Sequence, residues 1–328
     1  MKGFLYKACC IGALWGLSAP LWAAVSTDPI PYRNVSPMAQ IIGLPRFSGG
    51  RLLPHGTTKM QLIAETANDF SSGGNLAEDA ISLDGETSVF TVNLRHGILE
   101  WLEVGVEIPY VMHSSGGMDP LVDGWHDVFN LPDSGRTNAS SNEFSYQLVL
   151  GGQPALDLQS RTGDIGDIRV LIASSLMEGP RSLAARGSIK FPTGDEEDLI
   201  GSDSTEIAIS MAYTDVVTMP ANMVLTAEAG FVGGEDDGLL GRQEQTIVFG
   251  GVGLVYPRNN WAFKGQVTGH TKLYESSLSH LGDWALQGAL GVAWHFAEHF
   301  ELEGSVIEDL KADTTSDVTF QLMLTTTF

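Results

Sequence analysis

A transmembrane antiparallel β-barrel of about twelve strands, with short periplasmic turns and long extracellular loops, is the fold class this all-β sequence of 328 residues predicts. Three observations carry it. Apolar residues alternate with polar or small ones in segment after segment of about ten residues beyond position 56, which is the period of a strand with two chemically different faces. The connections between these segments are alternately short and long, as in barrels that cross an outer membrane. Aromatic residues collect near the segment ends, where membrane interfaces fall.

Residues 1–23 come first and read as a secretory signal. Lys2 and Lys7 precede an apolar run from Ala8 to Leu17, and Ser18 to Ala24 gives the small-residue exit, with cleavage after Ala23 or Ala24. Both cysteines, Cys9 and Cys10, lie in the removed part. The exported chain therefore has no thiol for a disulfide, a metal or a nucleophile. Loss of Lys2 and Lys7 leaves 16 basic against 40 acidic residues. Such an excess of negative charge excludes a partner held by phosphate neutralisation, so no nucleic acid is expected.

Residues 24–56 form a periplasmic N-terminal segment. Pro29, Pro31, Pro37, Pro45 and Pro54 exclude a long regular element. The segment is expected to close the periplasmic mouth or enter the lumen as a plug, or else to serve as a short tether. Residues 57–328 then make the barrel. The strands are expected at 57–67, 86–95, 100–110, 165–176, 182–192, 204–214, 222–231, 244–255, 261–271, 284–294, 299–309 and 317–328. The long loop 111–164 is extracellular and holds a hairpin of 142–150 with 154–159. Counting that hairpin outside the wall keeps an even strand number and both termini on one side.

Alternation assigns the faces. In the last strand Val318, Phe320, Leu322, Leu324, Thr326 and Phe328 point one way, and Thr319, Gln321, Met323, Thr325 and Thr327 the other. Charges cannot face lipid cheaply, so charged positions must line the lumen. The candidates are Lys59, Arg95, Glu103, Glu107, Arg169, Arg186, Lys190, Lys264, His270, Lys272, Glu301 and Glu303; Glu65, Asp167, Glu206 and Glu228 fall on the same face. Two readings follow: a polar pore whose Arg and Lys ladder steers anionic solutes, or a lumen closed by paired charges.

Pro31-Tyr32-Arg33-Asn34-Val35-Ser36-Pro37, with Gln40-Ile41-Ile42-Gly43-Leu44-Pro45, resembles the N-terminal signature of an uncharacterised Gram-negative family, domain of unknown function 3187. Leu53-Pro54-His55-Gly56, Leu102 to Tyr110, Phe129-Asn130-Leu131-Pro132, Gly166-Asp167-Ile168 and Phe191-Pro192-Thr193-Gly194 extend the likeness through most of the chain. The resemblance implies an outer-membrane barrel in a Gram-negative bacterium, with no established substrate or catalytic residue. Its Gly-Asp and Pro-Thr-Gly elements also recur in barrels linked to uptake of hydrophobic compounds. Met323 stands where assembly signals often carry glycine, although the terminal aromatic Phe328 remains.

The sequence thus points to a monomeric passive channel or uptake conduit for small solutes, without a cofactor. Its expected partners are outer-membrane lipid and lipopolysaccharide, and the barrel-assembly machinery through Phe328. A second reading is a non-transporting envelope or surface protein that binds cations, lipopolysaccharide or a partner through acidic outer loops. Asp195, Glu196, Glu197 and Asp198 supply oxygen ligands for a divalent cation there, as does Glu235-Asp236-Asp237, yet neither run has the spacing of a calcium loop. A third is a lipid hydrolase using His113 or His280 beside serines, although no nucleophile elbow is present. His295 and His299 lack a third metal ligand in the sequence.

Overall fold

The computed structural model describes residues 25–118, 124, 144–234, 242–311 and 314–328. The signal segment, most of the stretch between Met118 and Phe144, and Glu235-Asp236-Asp237 lie outside the described residues. Fifteen strands run β1 Thr58–Gly74, β2 Ala80–Leu99, β3 Leu102–Ser114, β4 Ser145–Leu150, β5 Gln153–Leu158, β6 Thr162–Ile165, β7 Arg169–Met177, β8 Arg181–Lys190, β9 Glu206–Asp215, β10 Val224–Gly234, β11 Ile247–Arg258, β12 Trp261–His270, β13 Ala285–Ala297, β14 Phe300–Asp309 and β15 Val318–Thr327. Twelve of them close a barrel. Sequential antiparallel pairing leads from β1 to β3, then through β7 to β15, and β15 pairs back with β1 from Lys59↔Thr327 to Asn68↔Val318. Closure leaves no unpaired edge on the wall, a condition that hydrocarbon imposes on every backbone N–H and C=O.

The remaining strands lie beyond the wall. β4 and β5 form the expected hairpin, and β4 extends the outer end of β2 from Ala80↔Val149 to Asp84↔Ser145. β6 covers the outer part of β3, so the stretch read as one strand at 165–176 is broken around Gly166-Asp167-Ile168. The first hairpin is also longer than its alternation suggested. Residues 68–74, read as loop because they lack an apolar face, pair residue for residue with 80–86.

The two faces are inverted relative to a soluble protein. Leu290 is 72% exposed, and Leu322, Ile172, Val252, Ile207 and Val170 are also exposed on the outside, whereas Gln321, Glu107, Lys190 and Glu303 are buried inside. At the short-turn rim Trp261 stacks on Trp294 with centroids 5.6 Å apart, and Phe296 stacks on Phe300 at 6.1 Å. This is the aromatic girdle of a membrane barrel. No described helix is long and apolar enough to cross a membrane.

Candidate functional site: the occupied lumen

Residues 25–50 run through the barrel interior, up one side and down the other. Val25 packs against Val224, Val255, Ala262 and Ala293 at the short-turn end. Moving outward, the Ser26 N–H donates to Glu301 Oε2 (2.7 Å), Asp28 pairs with Lys59, and the Ile30 N–H donates to Gln266 Oε1 (3.2 Å). Gln287 Nε2 then donates to the Tyr32 hydroxyl (2.8 Å), and Asn34 Nδ2 lies 3.1 Å from His270 Nε2. His270 Nδ1 is 2.8 Å from the Thr271 carbonyl, which makes Nδ1 the donor and Nε2 the acceptor.

Direction reverses at a single helical turn, Pro37–Gln40. Met38, Ala39, Ile41, Ile42 and Leu44 here enter an apolar cluster with Ile81, Tyr146 and Leu148 of the outer sheet and with Leu199, Leu273 and Leu281 of the loops. The descending limb meets the opposite wall. Gly43 N–H donates to Glu206 Oε2 (2.8 Å), Ser48 N–H to Glu228 Oε2 (2.8 Å), Gly50 N–H to Thr214 Oγ1 (2.9 Å) and Leu53 N–H to Glu103 Oε2 (2.8 Å). The limbs touch where Phe47 N–H donates to the Tyr32 carbonyl at 2.9 Å. Proline density explains why this chain needs wall side chains: backbone groups that no helix or sheet can satisfy are met by inward-facing carboxylates, amides and hydroxyls.

Electrostatics knit segment and wall together. Arg46 donates two parallel hydrogen bonds to Glu65, at 2.8 and 2.7 Å, and a third to Thr91 Oγ1 at 3.0 Å. Arg33 Nη1 pairs with Glu107 Oε2 at 3.1 Å, and Arg46 Nε faces Glu107 Oε1 at 3.7 Å. Arg169 donates to the Ile42 carbonyl (3.0 Å), and Arg186 to the Gly49 carbonyl (2.6 Å). Other wall charges satisfy one another. Glu103 lies between Arg95 and Arg186, Lys190 is 2.8 Å from Asp167 and 2.7 Å from Glu206, and Lys264 pairs with Glu303. Asp28, Arg33 and Arg46 escaped the sequence reading of the lumen. Two isolated arginines among prolines, in so acidic a chain, are the only signal that could have found them.

Eleven of the twelve lumen candidates face this interior: Lys59, Arg95, Glu103, Glu107, Arg169, Arg186, Lys190, Lys264, His270, Glu301 and Glu303. Lys272 does not. It lies past the end of β12, exposed and paired with Glu244, because the ladder stops at His270 and alternation no longer sets direction beyond it. Hydrogen bonding to Glu244 raises its pKa. In the acidic run the Glu197 N–H donates to Asp195 Oδ1 (2.9 Å), a turn contact. Partial burial, then the charges of Asp195 and Glu197, raise the Asp198 carboxyl above its usual range. Among the described residues no group of three or more His, Cys, Asp or Glu is arranged to hold a metal. His113 is fully buried on the interior side, 3.0 Å from the Leu199 carbonyl and 3.1 Å from Thr87 Oγ1, out of reach of lipid.

With the segment in place, cavities of about 60 and about 40 Å³ remain between it and the wall. Each has room for a few water molecules.

The family whose members are described as protein of unknown function, DUF3187, matches this chain over residues 6–328. The chain belongs to the DUF3187 family. No curated protein is measurably similar to it in sequence. The fold of this DUF3187 protein is similar to that of the COG4313 outer membrane channel from Pseudomonas putida F1, at 13% identity over 85% of this chain and 98% of that one, with a TM-score of 0.57. Fainter likenesses are to the NanC porin (8% identity, 81% and 98% covered, TM-score 0.46) and to the P. putida toluene transporter TodX (10%, 84% and 89%, 0.37). At these identities the likeness is one of barrel fold.

Proposed function

We propose that this DUF3187 protein resides in the outer membrane of a Gram-negative bacterium as a passive conduit for small solutes, and that residues 25–50 are its plug. One observation carries the reading: the segment is hydrogen-bonded to inward-facing wall residues at every level, from Glu301 near the short turns to His270 near the long loops. A barrel of this strand number encloses more space than its own side chains fill. The segment occupies that space with polar contacts, which water or solute groups can replace, and with apolar ones at Val25, Ile30, Val35 and the Met38–Leu44 turn. Lipid and lipopolysaccharide around the apolar belt, and assembly through Phe328, belong to the same reading.

The filled lumen also favours the rival, a closed envelope protein that transports nothing. Single-channel conductance in planar bilayers separates them. The refolded exported chain should pass little current, and deletion of residues 28–50 should raise conductance on the order of tenfold or more. Equal currents from the two would defeat the plug. Two silent proteins would favour the envelope reading.

A further inference from the structure

Wall charges are not evenly matched once the N-terminal segment is set aside. Among the candidates and their same-face neighbours, six bases oppose eight acids. Arg95, Arg186, Lys190 and Lys264 already have wall carboxylates as partners. Among the described residues, every ion pair of Glu65 and Glu107 is made with Arg33 or Arg46 of the segment. Arg169 stands opposite Glu107 in the strand register, but its guanidinium is turned toward the Gln40 and Ile42 carbonyls, at 3.5 and 3.0 Å. The two carboxylates and the Thr91 hydroxyl hold Arg46 as a receptor holds a ligand, with a bidentate fork that only a planar, doubly donating cation completes.

We infer that Glu65, Glu107 and Thr91 form a binding site on the lumen wall for a solute bearing a guanidinium group, which Arg46 occupies as a built-in surrogate while the lumen is closed. The inference rests on the conduit reading above and names the class of solute. Released from Arg33 and Arg46, the wall has a net negative charge, and four of its six bases are engaged by wall carboxylates. A cation is drawn into such a lumen and an anion is repelled, the reverse of an Arg and Lys ladder acting alone.

The test uses the full exported chain in bilayers, with R33Q/R46Q to empty the site and R33Q/R46Q/E65Q/E107Q to abolish it. Under a KCl gradient the double variant should favour K⁺ over Cl⁻ by roughly threefold or more. The fourfold variant should fall to a ratio near one. A preference for Cl⁻ in the double variant overturns the site. Thermal unfolding with argininamide supplies an arm that needs no current: it should stabilise the double variant and leave the fourfold variant unmoved, while glutamate stabilises neither. R46K keeps the buried charge, and therefore the fold, while losing the fork, so argininamide should stabilise it also. If neither variant conducts, the segment is still seated; the deletion of residues 28–50 then decides the conduit reading, while the argininamide shift alone decides the site. No shift in either R33Q/R46Q or R46K overturns it.

Discussion

The Asp167 carboxylate accepts hydrogen bonds from the backbone N–H groups of Thr193 (3.1 Å), Gly194 (2.9 Å) and Ser202 (3.1 Å), and from Lys190 Nζ at 2.8 Å. Thr193 Oγ1 completes the knot by donating to the Gly166 carbonyl (2.8 Å) and accepting from Ile168 N–H (2.9 Å). The Gly-Asp-Ile and Pro-Thr-Gly elements are thus two halves of one structure, which pins the outer ends of β7 and β8. Closeness explains the glycines: a Cβ on Gly201 would lie 2.5 Å from Asp167 Oδ1, and one on Gly194 2.8 Å from the Ile200 carbonyl. Asp167→Ala strands three backbone donors and half the partnership of Lys190, which keeps Glu206. We expect it to destabilise the barrel by about 2–4 kcal/mol in urea unfolding from lipid. An unchanged midpoint would mean that the knot has no energetic weight.

At the scale of elements, the long β1–β2 hairpin carries the outer sheet past the barrel wall, and its turn is clasped from two sides. Asp79 accepts from the Gly151 N–H at 2.8 Å and from Arg242 Nη1 at 2.7 Å, joining the β1–β2 turn, the β4–β5 turn and the chain before β11. The Gly151 hydrogen bond first, and then Arg242, hold the Asp79 carboxyl below its usual range. A carboxylate lowered on folding stabilises the clasp above its unfolded pKa of about 3.9, and that contribution is lost as pH falls through the folded value. Hydrogen exchange over residues 145–158 should therefore be faster in Asp79→Asn than in the unaltered protein at pH 7. After correction for intrinsic rates, the difference should begin to shrink below about pH 4 and vanish only once the pH has fallen through the lowered folded value. Equal protection at neutral pH would show that the clasp does not hold the hairpin.

Over the whole molecule, the wall turns its apolar face outward and its polar face to the lumen, and that inversion is why so much was legible from alternation. Leu290 and Glu303 declare their faces through their immediate neighbours, because a strand of period two has only two directions to offer. The β4–β5 hairpin was legible too, through parity. Less legible was any element whose direction comes from distant contacts: the polar end of the first hairpin at 68–74, the break at Gly166-Asp167-Ile168, and Lys272 two residues past its ladder. The pairing of Arg46 with Glu65 lay beyond reach, since nothing local joins a proline-flanked arginine to one particular glutamate on a wall of many. The central claim, that residues 25–50 fill the lumen, is tested most directly by cysteine labelling, for which residues 25–328 are suited because they contain no cysteine. Ala39 is fully buried at the turn of the segment, whereas Leu76 is 75% exposed in the β1–β2 turn. Ala39→Cys should resist a bulky water-soluble maleimide until urea unfolds the barrel, while Leu76→Cys reacts at once in the folded protein. Labelling of both at the same rate in the folded state would contradict the account.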